Sequence, residues 1–183
     1  MALVQSHGMA AGTPAPDFDL LATDGARYSL ASFADATALV VVFTCNHCPY
    51  AKAAESRLVA IAREYAPRGV ALVAINPNDA ERYPADSFDA MKARAAEAGF
   101  VFPYLYDETQ AVARAYDAAC TPDVFVFDRE RRLVYNGRID DSWKDERAVT
   151  RRDLRLVLDA TLEGRPHGLD VVPSMGCSIK WKP

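Results

Sequence analysis

Four residues of this chain have the types and spacing to do redox chemistry: Cys45-Asn46-His47-Cys48. They follow the apolar run Leu39-Val40-Val41-Val42-Phe43 and precede a helical pattern. Two cysteines at this spacing, where a buried strand feeds a helix, suit dithiol–disulfide exchange. A helix start offers unsatisfied N–H groups and the positive end of its dipole, and both favour a thiolate. On this pattern Cys45 is expected just outside the helix, as the exposed attacking thiol with a lowered pKa. Cys48 is expected in the first turn, close enough to resolve a mixed disulfide. His47, when charged, adds to the stabilisation of the Cys45 thiolate. Cys120 and Cys177 lie far off in sequence. They are candidates for a further disulfide or a redox relay, and Lys180 and Lys182 would favour a thiolate at Cys177. The competing chemistry is metal binding. A single Cys-x-x-Cys supplies two ligands where zinc takes four, so Cys120, Cys177 or His47 would have to complete the set.

The elements that must position these residues follow from periodicity. Phe18 to Ser29, with the Asp24-Gly25 turn, reads as a short hairpin. Leu39 to Phe43 and Val70 to Ile75 are continuous apolar runs, as in strands buried on both faces. Between them Leu58, Ile61, Ala62 and Tyr65 mark one apolar helix face, ended by Pro67 and Gly69. Asn76-Pro77-Asn78-Asp79 is a turn cluster. Phe88, Met91 and Ala95 mark a helix stopped by Gly99. Asp107 and Gln110 form a capping-box pattern for a short helix carrying Val112 and Tyr116. Val124 to Phe127 and Leu133 to Tyr135 make an antiparallel pair. Thr150 and Asp153 cap a last helix that carries Leu154, Val157 and Leu158 and ends at Gly164. Residues 1–14 read as a loose lead-in, and the tail from Arg165 shows little periodicity. The order implies an α/β protein with a mixed sheet and helices on both faces.

With 183 residues, half of them hydrophobic and a quarter charged, the chain can bury a sizeable core as one domain over residues 15–183. The net charge of −4 points away from nucleic acid. No apolar stretch approaches the roughly 20 residues that span a bilayer. Met1 to Pro16 has no Lys or Arg and no continuous apolar core, so a cytoplasmic location is expected. Asp140 and Asp141 read as a solvated turn pair.

Ala15-Pro16-Asp17-Phe18, Phe43-Thr44-Cys45-Asn46-His47-Cys48-Pro49-Tyr50 and Thr121-Pro122 together resemble the thioredoxin superfamily. More closely, they are similar to its redoxin branch of peroxiredoxin-like (AhpC/TSA-like) and thiol–disulfide oxidoreductase proteins. Ala74 to Asp79, Phe102 to Gln110, Cys120 to Asp123, Gly137 to Asp141 and the Cys177 tail extend the resemblance across nearly the whole chain. It implies a thioredoxin-like fold with a central mixed sheet, an N-terminal hairpin and an inserted helix. It also implies a cis Thr121–Pro122 peptide facing the redox cysteines, where backbone groups could pair with a partner strand. The implied activity is thiol–disulfide exchange with protein or small-molecule disulfides, fed by a thiol reductant. It needs no dissociable cofactor, because the dithiol holds the electrons. Peroxidase chemistry is the alternative. It is weakened because neither Cys45 nor Cys48 carries the Pro-x-x-x-Thr-x-x-Cys lead of peroxiredoxins. The buried acid of thioredoxin is also missing, since no carboxylate lies between Ala36 and Thr44.

Overall fold

The structure, a computed structural model, describes residues 3–183. In chain order the elements are β1 (Leu3–Gln5), β2 (Asp19–Ala22), β3 (Arg27–Ser29), β4 (Ala38–Phe43), α1 (Pro49–Tyr65), β5 (Val70–Asn76) and α2 (Phe88–Ala98). There follow β6 (Tyr104–Tyr106), α3 (Ala111–Ala115), β7 (Cys120–Thr121), β8 (Asp123–Phe127), β9 (Leu133–Asn136), α4 (Asp153–Leu162) and β10 (Met175–Ser178). The main sheet has seven strands in the order β3-β2-β6-β5-β4-β8-β9. Strand β5 runs parallel to β4 and β6, and the other pairs are antiparallel. This is the mixed α/β sheet of the thioredoxin-like fold.

Strand β4 is central because its alternate residues are apolar on both faces. Leu39, Val41 and Phe43 pack with Phe18, Tyr116, Phe125 and Phe127 on one side. Val40 and Val42 pack on the other with Leu58, Ile61 and Tyr65 of α1 and Leu154, Val157 and Leu158 of α4. Each such side chain contributes about 1.5–3 kcal/mol on burial, so the end of β4 is a rigid base for the motif that follows it.

Three local expectations are corrected. Helix α1 starts at Pro49 with Cys48 as its N-cap residue, so Cys48 lies one position before the helix rather than inside its first turn. Proline fits that first helical position because its missing N–H would have no partner there. Asp107 and Gln110 do not form a capping box. Asp107 accepts from Ala113 N–H at 2.8 Å, while the Gln110 amide donates to the carbonyls of Pro77 and Lys180. Thr150 does not cap α4; its N–H and hydroxyl both go to Asp141.

The two chain ends differ more. Of the expected lead-in, residues 1 and 2 lie outside the described residues. Leu3–Gln5 forms β1, Gly12 N–H donates to the Leu133 carbonyl at 2.8 Å, and Pro14 bridges Arg132. The tail supplies β10, which pairs antiparallel with β1 on one side and β7 on the other. The result is a second sheet of three strands, β1-β10-β7, laid across the end of the main one.

Candidate active site

The motif leaves β4 at the end where the loop after parallel β5 also emerges, the usual meeting place for functional loops in such sheets. That loop, residues 77–87, brings Asp86 against the motif. Asp86 is fully buried. Its Oδ1 accepts Asn46 N–H at 2.7 Å, and its Oδ2 accepts Asn78 Nδ2 at 2.8 Å. The same Oδ2 lies 2.6 Å from His47 Nδ1. Asn46 is fixed further by the Ala85 carbonyl and by Tyr104, whose hydroxyl donates to Asn46 Oδ1 at 3.0 Å. His47 stacks on Tyr83 with ring planes 6° apart. The dipeptide between the cysteines is thus locked by one carboxylate. Asp86 is a buried acid near Cys45, and it comes from the loop after β5. Sequence reading missed it because Pro84-Ala85-Asp86-Ser87 resembles an ordinary helix lead-in, and Ser87 does cap α2.

The two motif cysteines pack together and face β7. Cys45 Sγ lies 3.3 Å from Thr121 Oγ1, and the Cys48 thiol donates to the Thr121 carbonyl at 3.1 Å. The Thr121–Pro122 peptide is cis, as the resemblance implied. Thr121 therefore touches both thiols. Cys45 is not the exposed thiol expected from the sequence: it is 2% exposed and Cys48 is 0% exposed.

The surroundings push the two thiols in opposite directions. The Cys48 thiol is pulled down, first by the Cys45 thiol donating to it. Burial opposes this, while the Cys177 thiol and the N–H groups of Ala51 and Cys177 add to it. Cys45 is pushed well up by its bond to Cys48, by burial and by the charge of Asp86. Cys48 holds the N-cap place at the positive end of α1, whereas Cys45 lies near the Asp86 carboxylate.

Cys177 is brought to the dithiol and packs in one cluster with Cys45, Cys48 and Ala51. Its strand partner is Thr121, and that of Cys120 is Ser178. Neighbouring residues of a strand point to opposite faces, so Cys177 shares the face of Thr121 and Cys120 lies on the other. Cys120 is buried with its thiol against the Pro122 carbonyl at 3.5 Å, and burial pushes its pKa up.

Among the described residues, Cys45, His47 and Asp86 offer ligand atoms within 4.8 Å of one another. They would make three of a metal's ligands. The set keeps Cys45 and His47 of those considered from sequence and adds Asp86, whose oxygens already meet Asn46, Asn78 and His47.

Beside Pro122 lies a cavity of 270 Å³ walled by Tyr50, Trp143, Ile139 and Met175. Asp140, read as a solvated turn residue, is buried there and grips Arg57 at 2.7 and 2.8 Å. Arg57 also donates to the carbonyls of Ser142 and Trp143. This pair holds Trp143 against Tyr50, with ring centroids 4.0 Å apart.

Next to Pro122, burial raises the Asp123 carboxyl to about 6, against donors from Ala119 and Asn136. The folded chain therefore holds this proton more tightly than the unfolded one. Stability falls as pH rises from about 4 to about 6, by about 3 kcal/mol for a shift of about two units. Urea unfolding of Asp123→Asn across that range should show a flatter profile than the parent; parallel profiles would contradict the assignment.

Residues 10–154 match the Redoxin family, and the chain belongs to it. No curated protein matches the chain. Among solved structures, an uncharacterized conserved protein from Geobacillus kaustophilus is 49% identical, with a TM-score of 0.95 over 100% of this chain and 98% of that one. A hypothetical protein from Sinorhizobium meliloti 1021 is 46% identical, with a TM-score of 0.93 over 97% and 98%. A thiol:disulfide interchange protein of the thioredoxin family from Chlorobium tepidum is 21% identical, with a TM-score of 0.64 over 85% and 99%, which shows the shared fold. No helix among the described residues is long and apolar enough to cross a membrane.

Proposed function

We propose that this Redoxin-family chain is a thiol–disulfide oxidoreductase working through the Cys45–Cys48 pair. The observation that carries the reading is the pair itself. Two cysteine sulfurs pack together at the start of α1, with Thr121 against both. The Cys48 thiolate attacks a partner disulfide and one partner sulfur leaves. Cys45 then gives up its proton and attacks the mixed disulfide at Cys48, so the second partner sulfur leaves as thiol. The partner gains two electrons and the chain keeps a Cys45–Cys48 disulfide. This order reverses the one expected from sequence, because Cys48 rather than Cys45 sits at the helix cap. His47 and Asp86 hold the loop between the sulfurs, and a separate thiol donor resets the pair. The acidic chain lacks a nucleic-acid footprint, and its substrates are protein or small-molecule disulfides.

The test is a thiol count on reduced protein and after one equivalent of glutathione disulfide, with zinc analysis of freshly purified protein. Loss of one thiol pair together with turnover of insulin disulfides supports exchange. Stoichiometric zinc that masks Cys45 and shows no turnover would make the Cys45–His47–Asp86 group a metal site. Faster consumption of hydrogen peroxide than of disulfides would make the chain a peroxidase.

A further inference from the structure

We infer that Cys177 is a third redox thiol, held on β10 as a built-in exchange partner for Cys48. The inference rests on the dithiol reading above and extends it to a residue outside the motif. Strand β10 takes the edge of β7, with Cys177 opposite Thr121 and Ser178 opposite Cys120. That edge is where a partner's extended segment would add by main-chain pairing, and the chain fills it with its own tail. The fit is close. A Cβ on Gly176 would stand 2.0 Å from the Thr121 carbonyl oxygen, so only glycine lets the two backbones approach this far. The register then turns the Cys177 side chain toward the motif. There it packs in one cluster with Cys48, Cys45 and Ala51.

The two strands beside β10 hold it in place. On its far side β1 pairs Leu3 with Cys177 and Gln5 with Met175. Ser6 N–H donates to the Ser174 carbonyl at 2.9 Å, and the Ser174 hydroxyl donates to the Gly137 carbonyl at 2.8 Å. Beyond the strand, the Lys180 backbone N–H donates to Asn78 Oδ1 at 2.8 Å, and Asn78 also binds Asp86. The tail is thus tied to the same buried carboxylate that fixes the motif.

The exchange is an isomerisation. In the oxidised protein, Cys177 attacks Cys48 Sγ, a Cys48–Cys177 bond forms and the Cys45–Cys48 bond breaks. Cys45 leaves as thiolate and takes up the proton that Cys177 gave up, through solvent. No electrons enter or leave. Burial and the bond to Cys48 raise the Cys177 pKa in the reduced protein. The second cause ends once Cys48 is in a disulfide, and Lys180 nearby favours the thiolate.

The experiment is disulfide mapping by mass spectrometry after one equivalent of glutathione disulfide, alkylation and proteolysis. The parent is expected to give both Cys45–Cys48 and Cys48–Cys177 links. Cys45→Ser should give the Cys48–Cys177 link alone, and Cys177→Ser the Cys45–Cys48 link alone. Gly176→Val keeps every thiol but forces β10 off β7, and should lose most of the Cys48–Cys177 link. The near-isosteric Cys177→Ser stands in if that variant does not fold. If the parent gives only the Cys45–Cys48 link, and Cys45→Ser leaves Cys48 and Cys177 both open to alkylation, the inference is overturned and the dithiol reading survives. If no link forms in any variant, both are overturned.

Discussion

Replacing Cys48 with Ser is expected to abolish disulfide exchange, with a loss on the order of a thousandfold or more, as when a nucleophile is removed. Cys48 caps α1, where the positive end of the helix dipole favours a thiolate. The variant should also lose the thiolate absorbance that the parent shows at neutral pH. Cys45→Ser keeps the attacking sulfur and loses its first resolving thiol. When Cys177 is replaced as well, the partner should stay linked to Cys48. Non-reducing gels and mass mapping after incubation with a disulfide substrate read this directly. A partner trapped on Cys45 in the Cys48→Ser protein would restore the order expected from the sequence. It would mean that His47 activates Cys45 more strongly than the helix start activates Cys48.

Asp86→Ala is the second large effect, and it acts on stability before chemistry. The substitution strips the acceptor from Asn46 N–H and Asn78 Nδ2. Each buried donor left without a partner costs about 1–3 kcal/mol. Two of them, with the loss of the His47 contact, sum to about 2–6 kcal/mol. For a domain of this size that is a fall in Tm on the order of 10 °C. The motif loop should loosen with it, since Asn46 and His47 share this one anchor. Asp86→Asn separates the two roles. It keeps much of the packing but removes the charge that raises Cys45. Thermal unfolding together with thiolate absorbance against pH decides the matter. An unchanged Tm in Asp86→Ala, or a Cys45 titration unmoved in Asp86→Asn, would show that Asp86 is not the anchor of the site.

The split between sequence and tertiary structure runs along the range of the interactions involved. The sequence by itself determined the frame. Leu39 to Phe43 must be buried on both faces, and Leu58, Ile61 and Tyr65 must cover one of them, because strand and helix periods leave those residues no other place. The spacing of Cys45 and Cys48 between strand and helix marked them as the reactive pair, and the family resemblance marked Thr121–Pro122 as the turn before β8. Only the tertiary structure decided what surrounds them. Asp86 reaches the motif from 39 residues away through a loop that carries no pattern of its own. Cys48 lies at the cap and not inside the first turn because Pro49 opens α1, a shift of one residue that local propensity does not resolve. Met175-Gly176-Cys177-Ser178 has no alternation to mark a strand. It becomes one because β7 offers an open edge, Gly176 lets the backbones meet, and β1 closes the other side. Main-chain pairing is indifferent to side-chain pattern, so the contact that brings Cys177 to the dithiol left no trace in the sequence.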